Sequence, residues 1–327
     1  MAGDALSSVH LTNSEVRSVA DLRGNQRRVR KEKVMRALLF TAALASVLIS
    51  ALIVWTLFQK AGVFLIDLVE ESGVGALIDD GTAAGWYPRQ GRFDLATIVI
   101  GTLIVSGISI LVAAPLGLGA AIYLSEYAST RSRRVLKPVL EVLAGIPSVV
   151  FGFFALRFLG PDLIQPLFGT RTPTNLLVTG VAIGILVTPL MASVAEDSLR
   201  SVPSALREAS YGIGARKSTT VLKVVVPAAI SGIIAALIIS VSRAIGETMV
   251  AALASGALGQ APRTTDPTDP GLTMTAAMAQ LATGSDQIVG SGLAFQSLFF
   301  VGAVLFLMTF ALNMLANVIV RRFRNQY

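Results

Sequence analysis

Long apolar runs separated by short charged stretches dominate the pattern of hydrophobic positions along the chain. A helix needs about 20 apolar residues to cross about 30 Å of hydrocarbon. Six runs reach or approach that length and are predicted to span a membrane: residues 37–58, 95–124, 140–159, 176–194, 225–253 and 298–320. The pattern therefore predicts an all-α, polytopic membrane protein with six transmembrane helices.

Lysine and arginine are distributed unevenly among the segments that connect these spans. On one side, twenty of them fall in residues 1–36, 131–137, 200–223 and the stretch after 320. The other side carries six: Lys60, Arg89, Arg92, Arg157, Arg171 and Arg263. Because basic loops stay in the cytoplasm, both termini are predicted to be cytoplasmic.

This orientation divides the chain into three parts. Residues 1–36 form a basic cytoplasmic tail, residues 37–94 the first span and an extracytoplasmic loop, and residues 95–327 a five-helix core. In the first loop Trp86 and Tyr87 are predicted to anchor the chain at the membrane interface. A second extracytoplasmic loop, residues 255–296, is predicted to contain a turn-rich stretch over 262–271 and a helix over 272–281.

Small and helix-breaking residues within the spans predict how the helices pack. Gly180 and Gly184 form a GxxxG pair, which is typical of close helix contacts in membranes. Pro115, Pro147 and Pro189 interrupt otherwise helical runs and predict kinks.

Composition excludes several functional classes. The chain is 53% hydrophobic and 14% charged, whereas soluble domains carry about 25% charged residues. It has no cysteine, and its one histidine, His10, lies in the polar tail, so no thiolate metal site or cysteine nucleophile is expected. The net charge of +7 follows membrane topology and does not gather into a nucleic-acid surface. No metal cluster or catalytic constellation is evident.

The segment between the fourth and fifth spans has a distinctive local pattern. Pro203 suits the first turn of a helix, and Gly212 and Gly214 can end that helix in a left-handed turn. A second helical stretch follows, and the chain enters the bilayer at Pro227. The pattern predicts a compact helix, turn and helix outside the membrane, with a small apolar face that fits a groove on a partner.

This segment resembles the EAA loop of ABC importer permeases. The matching residues are Glu208, Ala209 and Gly214, with Val224, Val226 and Pro227 at the required spacing. Ser210 and the two valines are conservative departures from the family pattern. The resemblance implies that residues 197–227, here called the coupling loop, dock on an ATPase, with Arg207, Glu208, Ala209, Ser210, Gly212, Gly214 and Pro227 as the coupling residues.

The stretch 212–218 superficially resembles a phosphate-binding loop, but Arg216 stands where that loop needs a glycine before its lysine. This chain is therefore expected to bind no nucleotide cofactor, and the resemblance to permeases implies a transport subunit rather than an enzyme. ATP and magnesium are expected to be used by a partner ATPase.

Three further segments narrow the resemblance: AIYLSEY at 121–127, AGIPSVVFG at 144–152 and RAIGETM at 243–249. Each is similar to its counterpart in phosphate-specific permeases of the PstC type, and PstA-type subunits share some of them. The resemblance implies a type I importer fold, in the cell membrane of a bacterium or an archaeon, that carries inorganic phosphate by alternating access. It also implies a PstA-type permease partner, a PstB-type ATPase dimer and an extracytoplasmic phosphate-binding protein of the PstS type.

Two other functions remain open at the level of sequence. A permease for sulfate or molybdate has the same coupling loop but is expected to lack the paired Arg243 and Glu247. An ion-driven secondary transporter is expected to show repeated halves and has no use for an ATPase-docking loop.

Arg243 and Glu247 lie inside the fifth predicted span, where an ionisable group must pair or face water. Their spacing of four places them on one helical face, where Glu247 can hold Arg243. The pair is either structural or part of a translocation path in which the Arg243 guanidinium receives a phosphate oxygen. Thr248 and Ser148 are candidate hydroxyl donors to the same path. Glu126 and Glu141 are expected to pair with Arg131, Arg133, Arg134 and Lys137, or to contact a gate.

The charge asymmetry gives a direct test of topology, because a chain without cysteine can be labelled at single introduced cysteines. Cysteines replacing Asp80 and Thr268 are expected to react with an impermeant thiol reagent in intact cells. One replacing Ser218 is expected to react only after the membrane is opened. Labelling at Ser218 in intact cells would reverse the orientation.

Overall fold

The computed structural model describes residues 26–77, 84–283 and 292–323, and divides into two compact units between Thr56 and Leu57. Helix α1 (Gln26–Ser72) crosses this division. In its N-terminal part, apolar side chains such as Leu39, Phe40 and Trp55 are more than half exposed. Such a surface suits contact with lipid. Asp80, the labelling position in the first extracytoplasmic loop, lies outside the described residues.

Helix α1 is longer than the predicted first span, which ended at Phe58. It continues to Ser72 because Ala61, Phe64 and Leu68, which belong to the second unit, recur at helical spacing and are buried in that unit's core. The helix ends where Gly73 takes a φ of 75° and donates its N–H to the Leu68 carbonyl. The first part of the predicted loop 60–94 is therefore helical.

The second unit is built mainly from helices. They are α2 (Leu95–Ile122), α3 (Thr130–Ala144), α4 (Ser148–Phe154), α5 (Gln165–Phe168), α6 (Leu176–Arg200), α7 (Ser204–Gly212), α8 (Lys217–Thr220), α9 (Val226–Ala228), α10 (Ile230–Ile245), α11 (Met249–Ala254), α12 (Met274–Ala282) and α13 (Gly292–Phe323). Three π-helical segments continue or join them: Tyr123–Tyr127, Ala155–Ile164 and Val221–Val225. Short 3-10 turns are Val74–Leu77 and Pro88–Gln90.

Among the described helices, five are long and apolar enough to cross a membrane. A sixth candidate is the pair Lys217–Ala228 and Ile230–Ile245, which is bent by 70°. The second, fourth and sixth predicted spans correspond to single long helices, and the helix predicted over 272–281 is α12.

The third and fifth predicted spans are interrupted, which the apolar pattern alone did not predict. Residues 140–159 contain a break at Gly145–Pro147, because Pro147 has no N–H to donate and adopts an extended ψ of 133°. The run 225–253 is broken first at Ala229 and again over residues 246–248. The third span therefore begins at Ser148 and continues without a break to Phe168, so its predicted bounds were wrong, and residues 140–144 belong to α3. The fifth span is assembled from shorter helices.

Helices α2 and α6 form the central packed pair, and the GxxxG prediction is confirmed. A Cβ on Gly180 would lie 2.6 Å from the Ile108 Cβ, and one on Gly184 would lie 2.7 Å from the Val112 Cβ. The Ser109 hydroxyl donates across the contact to the Gly180 carbonyl at 3.0 Å. Backbones approach this closely only where the side chain is a hydrogen atom.

A small cap lies at the end of the bundle opposite the coupling loop. Strands β1 (Gly85–Tyr87), β2 (Arg92–Phe93) and β3 (Ala261–Pro262) form an antiparallel sheet in the order β2-β1-β3. Trp86 was predicted to anchor at the membrane interface, but it is fully buried and packs edge-on against Phe93. The indole therefore belongs to the core of the cap.

A buried ion pair fastens this cap to the helical bundle. Asp94, immediately before α2, accepts two hydrogen bonds from Arg263, from Nε at 3.0 Å and from Nη2 at 2.6 Å. The Asp94 side chain is fully buried, and Thr97 also donates to it. The fork of a guanidinium fits a carboxylate at two points, so the contact fixes both position and orientation.

Candidate functional site

The coupling loop has the predicted helix, turn and helix. Helix α7 begins directly after Pro203, and Gly214 has a φ of 80°, which favours glycine. The Ala215 N–H donates to the Ser210 carbonyl across the turn, and the hydroxyls of Ser210 and Thr220 lie 2.9 Å apart. These bonds hold α7 against α8 as one compact element.

The outward surface of this loop is small, and no described part of the chain covers it. Glu208, Ala209 and Gly212 are exposed, and Ile213 at the tip is 87% exposed. Ser210, which was predicted among the docking residues, is instead buried and holds the loop together. Pro227 lies in α9, where the chain turns into α10.

Arg207 also differs from its neighbours, because its side chain points into the protein. Its Nη1 donates to the Val202 carbonyl at 2.6 Å, and its Nη2 donates to the Leu199 carbonyl and to Glu126 Oε1, both at 2.9 Å. Glu126 was expected to pair with the basic residues of 131–137. It pairs with Arg207 because the π-helical turn carries it toward the coupling loop.

The predicted path residues lie at the two helix breaks. Ser148 is the first residue of α4, and Glu247 and Thr248 lie in the break between α10 and α11. Helices α4 and α11 pack against each other closely: a Cβ on Gly152 would lie 3.1 Å from the Met249 carbonyl oxygen. The fold therefore brings together the helices that follow both breaks.

The predicted pair between Arg243 and Glu247 is not formed. Arg243 occupies the last turn of α10, and the helix ends before Glu247, so the two residues do not share a continuous helical face. Glu247 is buried and faces the N–H of Val250, at 3.5 Å, while its carbonyl accepts from Thr275 at 2.8 Å. Arg243 is exposed and has no ion-pair partner among the residues that the structure describes.

The two candidate hydroxyls differ in their contacts. Thr248 donates to the Gly246 carbonyl at 3.2 Å, within the break itself. Ser148 is half-buried at the start of α4 and makes no side-chain hydrogen bond to a described residue. A hydroxyl without an internal acceptor remains able to donate to a ligand.

A second polar cluster lies where α3 meets the end of α6. Glu196 is fully buried; Lys137 Nζ donates to its Oε2 at 2.8 Å, and Arg133 Nη2 lies 2.6 Å from its Oε1. The arginine contact is an ion pair without hydrogen-bond geometry, because Oε1 accepts no hydrogen bond from the described residues. Hydrogen bonds to Asp197 and then to Glu196 raise the pKa of Lys137 above its ordinary value. The lysine therefore stays charged through neutral pH.

Comparison with known proteins places this geometry in a family. Residues 113–325 match the family described as "Binding-protein-dependent transport system inner membrane component". This chain belongs to that family. The matched range contains the coupling loop, both helix breaks and α13. Every predicted coupling and path residue therefore lies within the part of the chain that matches the family.

Individual relatives extend the similarity beyond the matched range. The chain is 32% identical to a probable ABC transporter permease protein, YqgH, from Bacillus subtilis, over 75% of this chain and 79% of the relative. It is 33% identical to the phosphate transport system permease protein PstC of Mesorhizobium japonicum, over 74% of this chain and 77% of the relative.

A solved structure supports the fold of this transport component. A bacterial alginate ABC transporter, in complex with a periplasmic protein that holds an alginate pentasaccharide, matches with a TM-score of 0.60 at 16% identity. The match covers 89% of this chain and 96% of the other. At this identity the likeness shows the arrangement of helices, which is that of type I ABC importer permeases.

Sequence reasoning missed the buried carboxylates of this transport component. Glu196 and Asp94 both lie at the ends of predicted spans, where a charged side chain is expected to be exposed to water. A signal was present for Glu196, because Arg133 and Lys137 are four residues apart and present two cations on one face of α3. Asp94 and Arg263 gave no such signal, since 169 residues separate them.

The cluster at Glu196 gives a stability prediction. Glu196→Gln leaves Arg133 and Lys137 without their buried countercharge and is expected to cost about 3 kcal/mol of unfolding free energy. The control is Asp197→Asn, whose side chain is 65% exposed, with an expected cost below about 1 kcal/mol. The readout is the apparent Tm of the purified protein in detergent at neutral pH, where Lys137 is charged. Equal Tm values for the two variants would contradict the buried pair.

Proposed function

We propose that this chain is a permease subunit of an ABC importer for inorganic phosphate, of the PstC type. The observation that carries the proposal is the coupling loop, whose exposed Glu208 and left-handed Gly214 stand at one end of a transport-component fold. The similarity to a relative named as a PstC phosphate permease supports the choice of substrate.

The proposed complex contains subunits that this chain does not supply. A PstA-type permease completes the translocation path, a PstB-type ATPase dimer binds the coupling loop and uses ATP and magnesium, and a phosphate-binding protein docks on the cap. Both termini lie in the cytoplasm, as the distribution of basic residues predicts. ATP binding closes the ATPase dimer, the coupling loop moves with it, and the helices switch from inward to outward opening.

The proposed path passes the two helix breaks. An exposed guanidinium within a membrane helix costs several kcal/mol unless it meets water or a partner, so Arg243 faces the path or the second permease rather than lipid. Since Glu247 does not hold it, its donors are available to an oxyanion. Ser148 adds a hydroxyl at the other break. Glu247 instead stabilises the break by accepting from the start of α11.

The coupling role is tested by reversing a charge on the exposed face of α7. Glu208→Lys is expected to abolish phosphate uptake and to release the ATPase from the complex, because the docking surface changes while the fold does not. Glu141→Lys, the same reversal at an exposed residue outside the loop, is the control and is expected to keep uptake within about twofold. The measurements are uptake by proteoliposomes containing all four components, with sulfate and arsenate as competitors, and co-purification of the ATPase. Normal uptake by Glu208→Lys would remove the main support for the function.

The substrate role of Arg243 is tested separately. Arg243→Gln is expected to reduce phosphate uptake by at least about tenfold, the effect of one lost charge-assisted hydrogen bond, while the complex still assembles. Adding Glu247→Gln is expected not to restore uptake, because the two side chains are not paired. Recovery of uptake in the double variant, at equal yield of the intact complex, would show that the two residues form a structural pair and would contradict a substrate role for Arg243.

A further inference from the structure

The end of α2 nearest the coupling loop has an unusual backbone. The helix widens into the π-helical turn Tyr123–Tyr127 before the chain leaves it at Ala128. A π-helical turn inserts an extra residue into each hydrogen-bonded ring and redirects the side chains that follow; such turns are frequent at functional sites. Here the redirected residues are Glu126 and Tyr127.

Both redirected side chains contact the coupling loop, at two different points. Glu126 Oε1 accepts from Arg207 of α7 at 2.9 Å, and the Glu126 side chain is only 6% exposed. The Lys217 ammonium at the start of α8 lies 4.8 Å from the centre of the Tyr127 ring. Glu126 therefore contacts α7, and Tyr127 contacts α8.

Arg207 extends the contact to a second transmembrane helix. The same guanidinium that binds Glu126 also donates to the carbonyl of Leu199, in the last turn of α6. Because α2 and α6 are themselves packed through Gly180 and Gly184, a displacement of α7 acts on the central helix pair and not on α6 alone. The direct covalent connection of the loop runs only to α6 and α10.

We infer that Glu126 and Tyr127 are the positioning residues through which movement of the coupling loop reaches α2. This inference rests on the proposed function. In it, Glu208 on the outer face of α7 meets the ATPase, and Arg207 on the inner face transmits the displacement. The link is rigid: the contacts persist through the transport cycle, so that α7, α8 and the end of α2 move together.

The test measures coupling rather than activity alone. In the reconstituted four-component complex, Glu126→Gln is expected to keep ATPase binding and ATP hydrolysis within about twofold, while phosphate transported per ATP falls at least about tenfold. The matched control is Glu141→Gln: Glu141 lines the same cleft, of about 760 Å³, but its side chain is exposed and has no partner among the described residues. It is expected to leave the transport ratio unchanged.

A second variant keeps the test decisive if Glu126→Gln lowers the yield of the complex. Tyr127→Leu leaves the buried ion pair intact and removes only the contact with Lys217, so it is expected to lower the transport ratio by about two- to fivefold. A normal transport ratio in both Glu126→Gln and Tyr127→Leu would overturn the inference.

The rigidity of the link between α2 and the coupling loop is tested by joining residues 127 and 217 covalently. Cysteines replacing Tyr127 and Lys217, in a chain that has none of its own, are linked with a short bifunctional reagent. A rigid link predicts that the joined complex still transports. Loss of transport on joining, reversed when a cleavable reagent is cut, would show that the contact opens during the cycle and would overturn the rigid link.

Measurements on the unmodified complex distinguish a failure of the proposed phosphate function from a failure of the inference about Glu126 and Tyr127. If it hydrolyses ATP but does not take up phosphate, the proposed substrate is wrong, and the link is then tested with the oxyanion that the complex does carry. If it takes up phosphate and the variants remain coupled, the inference about Glu126 and Tyr127 fails while the proposed function stands.

Discussion

The high cost of an uncompensated charge away from water is the constraint on which this structure depends. Three buried carboxylates satisfy it in the same way, each by meeting cations from a distant part of the chain. Asp94 binds Arg263 of the cap, Glu126 binds Arg207 of the coupling loop, and Glu196 binds residues of α3. Because the helices otherwise meet mainly through apolar and small side chains, these ion pairs contribute directional contacts that attach the peripheral segments at defined places.

The same constraint explains the interrupted helices. A break frees backbone groups that hydrocarbon cannot satisfy, so it is stable only where other groups bind them. At residues 246–248, the Thr275 hydroxyl binds the Glu247 carbonyl and the Glu247 side chain faces the N–H of Val250. Glu247 thus stabilises the break and does not pair with Arg243. The irregular backbone and the lack of an ion-pair partner for Arg243 among the described residues therefore have one structural origin.

Periodicity and motif spacing predicted the parts of the fold that depend on local sequence. The long apolar runs predicted α2, α6 and α13, and the GxxxG pair predicted the close contact of α2 with α6. Pro203 and Gly214 predicted where the helix of the coupling loop begins and where the turn after it lies. Contacts between segments far apart in the chain were not predictable in this way. Trp86 read as an interfacial anchor because its burial depends on Phe93 and on a strand contributed by the distant residues 261–262. The spacing of Arg243 and Glu247 implied a pair only on the assumption that the helix continues.

The coupling loop shows how one short helix serves two surfaces. Successive residues on a helix point about 100° apart, so Arg207 and Glu208 face different sides although they are neighbours. Arg207 donates to a carboxylate and to two carbonyls, which fixes the helix on the bundle. Glu208 is exposed and stays available to another protein. A loop held only by its ends would absorb a partner's movement by bending. In the proposed importer, a loop fastened along its inner face, by Arg207 to α6 and α2 and by Ser210 to Thr220, would pass that movement to the membrane helices instead.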